Sequence, residues 1–253
     1  MGDERRAVVL SSVHHRNLRR KKGTFFHLDN QPTVPVSAVE APMAAFDLPV
    51  VFMLGQQGGL GLMALLSLNP KENAHVGPKG LWMGGYMPVA VRAHPFGLYF
   101  DGDRATMVVV EDSDWLSTGD GDPLFDHDGN PTPLLNNIAD LLKKRFPNPH
   151  RDLPVLEAIA QSGILEPLGE VSDRVLKINP EKLAGLNDEA FLNLRRKNAL
   201  PVIYAHLMSL ARIERIKKLA QRKEQIREQL VKQKKLPDGE FSLRMDDDMI
   251  SFD

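Results

Sequence analysis

Pro49-Val50-Val51-Phe52-Met53-Leu54 runs into Gly55-Gln56-Gln57-Gly58-Gly59 and then into Leu60-Gly61-Leu62-Met63-Ala64-Leu65-Leu66-Ser67-Leu68. Two apolar, β-type runs joined by a glycine-rich turn predict a β-hairpin. This is the most apolar stretch of the chain, yet its central glycines and glutamines split it into runs too short to cross a bilayer. A phosphate-loop reading of Gly55 to Gly61 fails, because the run lacks a Gly-Lys-Ser/Thr ending. The residues from Leu62 to Leu68 are strand-like, and do not form a helix whose N-terminus could hold an anion.

Upstream, Val34 to Leu48 reads as a lead-in to a short helix, with Ser37 as N-cap and Glu40 three residues on completing a capping box. Downstream a similar order recurs. Trp82 to Tyr86 leads to a short helix near Met87 to Ala93, a strand from Pro95 to Phe100, a turn at Asp101-Gly102-Asp103 and a strand from Ala105 to Val110. The expected fold is α+β: a mainly antiparallel sheet built from two helix-strand-strand units, packed with C-terminal helices, plus a long charged C-terminal helix.

After a polar, turn-rich stretch from Asp112 to Pro133, helices dominate. Thr132-Pro133 opens one with Leu134, Leu135, Ile138, Leu141 and Leu142 on one face. Pro147-Asn148-Pro149 breaks it, and Leu153 to Ser162 forms another that ends at Gly163. Val175 to Ile178 is read as a further strand. Asn187-Asp188-Glu189 caps a long periodic stretch that Pro201 divides into two helices.

From Arg212 to Lys235 ten basic residues face three acidic ones, and the apolar positions Ile213, Ile216, Leu219, Ile226 and Leu230 continue at helical spacing. So polar a helix is expected to project as an arm, with Arg212, Arg215, Lys218, Arg222, Arg227 and Lys232 as partner-binding residues. After Pro237 the sign reverses through Asp246, Asp247, Asp248 and Asp253, and Phe252 joins the same candidate surface. The organisation is thus a basic N-terminal segment (1–33), an α+β body (34–211), a basic helical arm (212–236) and an acidic tail (237–253). A basic helix followed by an acidic tail can fold back on its own chain or mate with oppositely charged neighbours in an assembly.

The 253-residue chain carries a net charge of −1 and no cysteine, which excludes disulfides, thiolate metal sites and a cysteine nucleophile. Met1 to Lys22 has no apolar stretch of signal-peptide length, so synthesis in the cytoplasm without Sec export is expected, and no membrane segment. Asp126-His127-Asp128-Gly129-Asn130 begins like a calcium loop, but Pro131 and Asn137 stand where the loop needs glycine and a bidentate carboxylate. It is read as a turn. His14 and His15 with His27 are candidate metal ligands, but the charge of Arg16, Arg19, Arg20, Lys21 and Lys22 opposes a cation, so they are read as part of a solvated basic segment. His206 is a candidate base but is read as a buried histidine hydrogen-bonded across a helix interface. No Gly-x-Ser-x-Gly or His-Glu-x-x-His occurs.

Several segments together resemble the SapC family. They are His15-Arg16-Asn17-Leu18-Arg19, Val34-Pro35-Val36 with Glu40, Leu48 to Phe52, and Tyr86-Met87-Pro88 through Arg92 to Pro95-Phe96. Leu124 to Thr132 and Ile203-Tyr204-Ala205-His206-Leu207-Met208-Ser209-Leu210 complete the match. The resemblance covers roughly residues 14 to 215. It departs from the family at Ala93-His94, where an Arg-aromatic pair is more typical, and in the extension beyond about Ile216. The family's association with surface-layer loci implies an assembly role by neighbourhood and no reaction.

The expectation is a non-catalytic structural or assembly protein, set in a surface layer or a virion, that binds neighbouring subunits through its termini. No catalytic residue, cofactor or metal is assigned. The alternative is an enzyme or small-molecule binder using Arg92, His94, Tyr204 and His206 around a cleft. Nucleic-acid contact by the basic helix is a weaker reading, since that helix lacks stacking aromatics.

Overall fold

The computed structural model describes residues 7–56, 58–169 and 171–234. In chain order its strands and helices begin with β1 (Ala7–Val9), β2 (Arg19–Arg20), β3 (Thr33–Pro35), α1 (Ala41–Ala44), β4 (Val50–Leu54) and β5 (Leu60–Leu65). Then come α2 (Val89–Arg92), β6 (Phe96–Asp101), β7 (Arg104–Val110), β8 (Leu116–Ser117), β9 (Asp122–Pro123), α3 (Pro133–Arg145) and α4 (Pro149–Gln161). The chain continues through β10 (Leu165–Leu168), β11 (Ser172–Ile178), α5 (Pro180–Ala184), α6 (Asp188–Arg196), α7 (Leu200–Ser209) and α8 (Ile213–Lys234).

The hairpin of the opening stretch forms as expected: β4 and β5 pair antiparallel from Val50↔Ala64 to Leu54↔Leu60. The second unit also forms, with β6 and β7 paired from Phe96↔Val109 to Asp101↔Arg104. The two units do not share one sheet, which corrects the expectation. β4 and β5 are central in a five-stranded antiparallel sheet of order β10-β11-β4-β5-β3, whereas β6 and β7 join β1 in a separate three-stranded sheet. A third small sheet is ordered β8-β2-β9. Residues 7–35 supply a strand to each of the three sheets, so this stretch is woven into the body.

The physical reason for the separation lies in what each face must cover. In the five-stranded sheet Val50 and Phe52 point into the main core with α1, α4 and α7, while Val51, Leu65 and Val175 form a second cluster on the opposite face. A sheet covered on both sides reads as continuous apolar runs, as Pro49 to Leu54 does. The second cover is α8, whose Ile216 and Leu219 are buried in that cluster. Each such side chain contributes about 1.5–3 kcal/mol when fully buried. The basic helix is therefore seated on the body through its first turns, against the expectation of a projecting arm that gains little by docking. The sheet of β1, β7 and β6 has its own core, in which Phe96 and Val109 meet Leu135, Ile138 and Leu142 of α3 and Val89 of α2.

Local signals account for several helix ends. Thr132 Oγ1 caps α3, Asn148 Oδ1 accepts from the His150 and Arg151 amides to open α4, and Asn187 Oδ1 accepts from the Ala190 amide to open α6. Gly163, after α4, has φ +72°. The Ser37 capping box is only half made. Ser37 Oγ accepts from the Glu40 amide, but the Glu40 carboxylate turns away to accept from Tyr86 Oη (2.9 Å) and from the Val89 amide (2.7 Å) at the start of α2. The Asp126 carboxylate accepts from the Asp128 and Asn130 amides and Gly129 has φ +86°, so that run is a turn.

Candidate docking surface

Helix α7 is apolar on nearly every side, and a helix of that kind must be covered all round or leave a face open. Its inner face is built into the sheet. His206 Nδ1–H donates to the Val50 carbonyl (2.7 Å), and its Nε2 accepts from the Ile178 amide (3.0 Å). The ring thus spans β4 and β11 just beyond their last paired residues, Phe52 and Leu176. Burial pushes the His206 imidazole down to about 4, so the neutral ring serves both strands. Ser209 Oγ accepts from the Val50 amide and donates to the His206 carbonyl. The expectation of a buried, hydrogen-bonded histidine holds at this position.

Among the described residues nothing covers the outer face of α7. Tyr204 is 50% and Met208 73% exposed, and beside them Phe46, just past α1, is 70% exposed. Pro42, Ala45, Phe46, Pro201, Tyr204, Ala205, Met208 and Arg212 line a groove of about 330 Å³. Pro42 and Pro201 also wall an adjoining depression of about 640 Å³ that includes Val39, Arg151, Arg196 and Lys197. The floor is apolar and both ends carry guanidinium or ammonium groups. A rimmed apolar patch on a globular domain marks an interaction site.

Of the residues expected around a ligand cleft, none pairs with another in a shared pocket. His206 is fully buried between strands while Tyr204, two residues earlier, faces outward. Arg92 is exposed at the end of α2. His94 stacks on His27 and contacts Ser113. The cleft reading is corrected accordingly: helical phase sends Tyr204 and His206 in opposite directions.

The basic residues of the C-terminal helix divide as well. Arg215 pairs with Asp47, and Arg227 reaches Glu224 (3.2 Å) and Glu72 (4.0 Å), so both are engaged within the chain. Arg212 lines the groove, and Lys218, Arg222 and Lys232 are exposed. Asp246, Asp247, Asp248 and Phe252 lie outside the described residues. His15 is buried, its Nδ1 accepting from the Ser11 amide and its Nε2 donating to Glu111, which corrects its placement in a solvated segment.

Phe46, Pro42 and Met208 were not singled out in the sequence. The signal that could have found Met208 is the apolar run Leu200 to Leu210, too apolar on every side for one core to cover. Among the described residues no helix is long and apolar enough to cross a membrane.

A family model described as SapC matches residues 10–216. No curated protein and no solved structure matches the chain.

Proposed function

The chain belongs to the SapC family, and on that premise we propose that it is a non-catalytic assembly protein whose copies associate by seating the C-terminal segment of one on the α1/α7 face of another. A large protein assembly such as a surface layer or a virion is the setting this reading fits. The observation that carries it is the uncovered face itself, with Phe46, Tyr204 and Met208 exposed between basic ends formed by Arg212 and by Arg151, Arg196 and Lys197.

The occupant should offer apolar side chains flanked by carboxylates. The chain's own Asp246-Asp247-Asp248-Met249-Ile250-Ser251-Phe252-Asp253 has that composition. Exchange between copies is favoured over folding back by reach. Helix α8 starts beside the groove and its 22 residues carry the chain about 33 Å onward. From Lys234 to Asp246 an extended chain spans roughly 40 Å, whereas a relaxed chain of that length spans about 20 Å. A return to the same molecule's groove would hold the connection nearly taut, a cost that a second copy avoids.

The test is native mass measurement on the full chain, on a variant ending at Pro237, and on Met208→Glu. Self-association of the full chain that both variants lose supports the proposal. A monomeric full chain at all accessible concentrations, or oligomers indifferent to both changes, overturns it.

A further inference from the structure

A single-turn 3-10 helix (Phe26–Leu28) and two loops bring an imidazole pair and a carboxylate together away from the docking surface. His27 follows β2, His94 follows α2, and Asp114 lies between β7 and β8. One ligand atom from each lies within 4.8 Å of the other two. We propose that His27, His94 and Asp114 form a binding site for a divalent transition-metal ion of the zinc or cobalt type. This inference is independent of the assembly reading.

The surroundings are those a ligand set needs. Metal-bound imidazoles and carboxylates are held by a second layer of hydrogen bonds that fixes their tautomer and direction. His94 Nε2 lies 2.8 Å from Ser113 Oγ, which also accepts from the Trp115 amide. Asp114 Oδ2 accepts from both the amide and the hydroxyl of Thr24, at 2.9 Å each, so the carboxylate is oriented with its other oxygen uncommitted by that pair.

A purely structural role has to be weighed against this. The His94 ring stacks on His27 at 3.8 Å with an 18° interplanar angle and meets Trp115 edge-on at 6.0 Å, so it fills a slot among rings. Any flat ring would do that. The imidazole of His94 in that slot adds a nitrogen donor beside a second imidazole and a carboxylate. Stacked rings direct their lone pairs side by side, so ligation requires the two imidazoles to splay about their side-chain torsions. Arg20, whose Nη2 donates to the His94 carbonyl at 3.1 Å, places a positive charge nearby and weakens the site relative to a closed four-ligand centre. Two imidazoles and a carboxylate suit zinc or cobalt and leave a coordination position for water.

The experiment is a titration of the full chain with Zn²⁺ by calorimetry and with Co²⁺ by visible absorption. Saturable one-to-one binding is expected, with the d–d bands of a nitrogen- and oxygen-ligated cobalt ion. His94→Phe keeps a ring in the slot and should weaken binding by at least about tenfold. Asp114→Asn, which retains acceptors for Thr24, should do the same and serves if His94→Phe fails to fold. His127→Ala, which removes the exposed His127–Asp128 pair, should change nothing. Absence of saturable binding to the native chain, or equal binding by both site variants, would overturn the proposal.

Discussion

Lys223 Nζ lies 2.8 Å from Asp29 Oδ1, joining the middle of α8 to the N-terminal part of the body across 194 residues of sequence. The lysine is 1% exposed, and its ammonium also reaches the Asn73 carbonyl (2.9 Å) and Glu72 Oε1 (3.3 Å). Three acceptors satisfy its three donors, which is what allows a lysine to be buried in the seam between helix and body.

Removing that ammonium leaves the Asn73 carbonyl without its donor and two carboxylates side by side. Lys223→Ala should therefore destabilise the chain by about 2–4 kcal/mol, below the upper range for buried pairs because Asp29 and Glu72 keep some solvent. Urea unfolding measures the loss. Amide exchange should accelerate selectively in α8, and unchanged exchange there would show that Ile216 and Leu219 alone hold the helix.

His206 makes stability depend on acid. Its folded-state value lies near 4 against an ordinary 6.5, so between those limits the unfolded chain binds the extra proton. The contribution is complete above about pH 6.5 and is lost as pH falls towards 4, on the order of 3 kcal/mol in total. Protonating Nε2 would also set an N–H against the Ile178 N–H. His206→Gln should flatten this part of the profile in urea unfolding midpoints, and a parallel profile in the variant would refute the assignment.

Glu40 acts in the opposite sense. Burial raises its carboxyl above the ordinary value, even against the hydrogen bonds from Val89 and Tyr86, so its contribution falls as pH rises from about 4.5 through the folded value. Tyr86→Phe removes the hydroxyl that donates to this carboxylate and should cost about 1–3 kcal/mol at neutral pH. Burial, then Glu40, push the Tyr86 phenol up to about 12, so its absorbance should not titrate below pH 11 in the folded chain. Titration near 10 would place that hydroxyl in water.

Gly121 has φ +100°, and a Cβ there would run into the carbonyl of Arg20. Gly121→Ala should destabilise by roughly 1–3 kcal/mol through strain at that turn. The effect should be read as local loss of exchange protection at Arg20 and Leu116, which share the small sheet.

Tyr204→Ser should leave the stability of the isolated chain within about 0.5 kcal/mol, since half of its surface is already in water. Sedimentation should nonetheless show weaker self-association. A large loss of stability would mean that Tyr204 serves the body and not a neighbour.

The two hairpins were legible because glycine turns and β-type runs act locally. Where the hairpins would sit relative to each other was not, because pairing partners such as β11 for β4 and β1 for β7 lie far away in sequence. The docking of α8 was hidden by its charge: buried Ile216 and Leu219 and the buried Lys223 help anchor it, and nothing local distinguishes Lys223 from Lys218 or Arg222. Yet the unbroken apolar run from Pro49 to Leu54 carried the missing information, since alternate residues on a one-sided sheet need not all be apolar. His206 was readable as buried and bonded. The open face was not, because Tyr204 and Met208 look like core residues until the helix is seen to exceed the core.

Because Ile216 and Leu219 clamp the root of α8, the rest of that helix is indexed to the body by helical phase. Each residue inserted or deleted in the outer turns would rotate the downstream chain by about 100° and shift it by about 1.5 Å. The helix then behaves as a calibrated spacer, and one-residue length variants would re-aim whatever its far end carries without altering a single contact at its base.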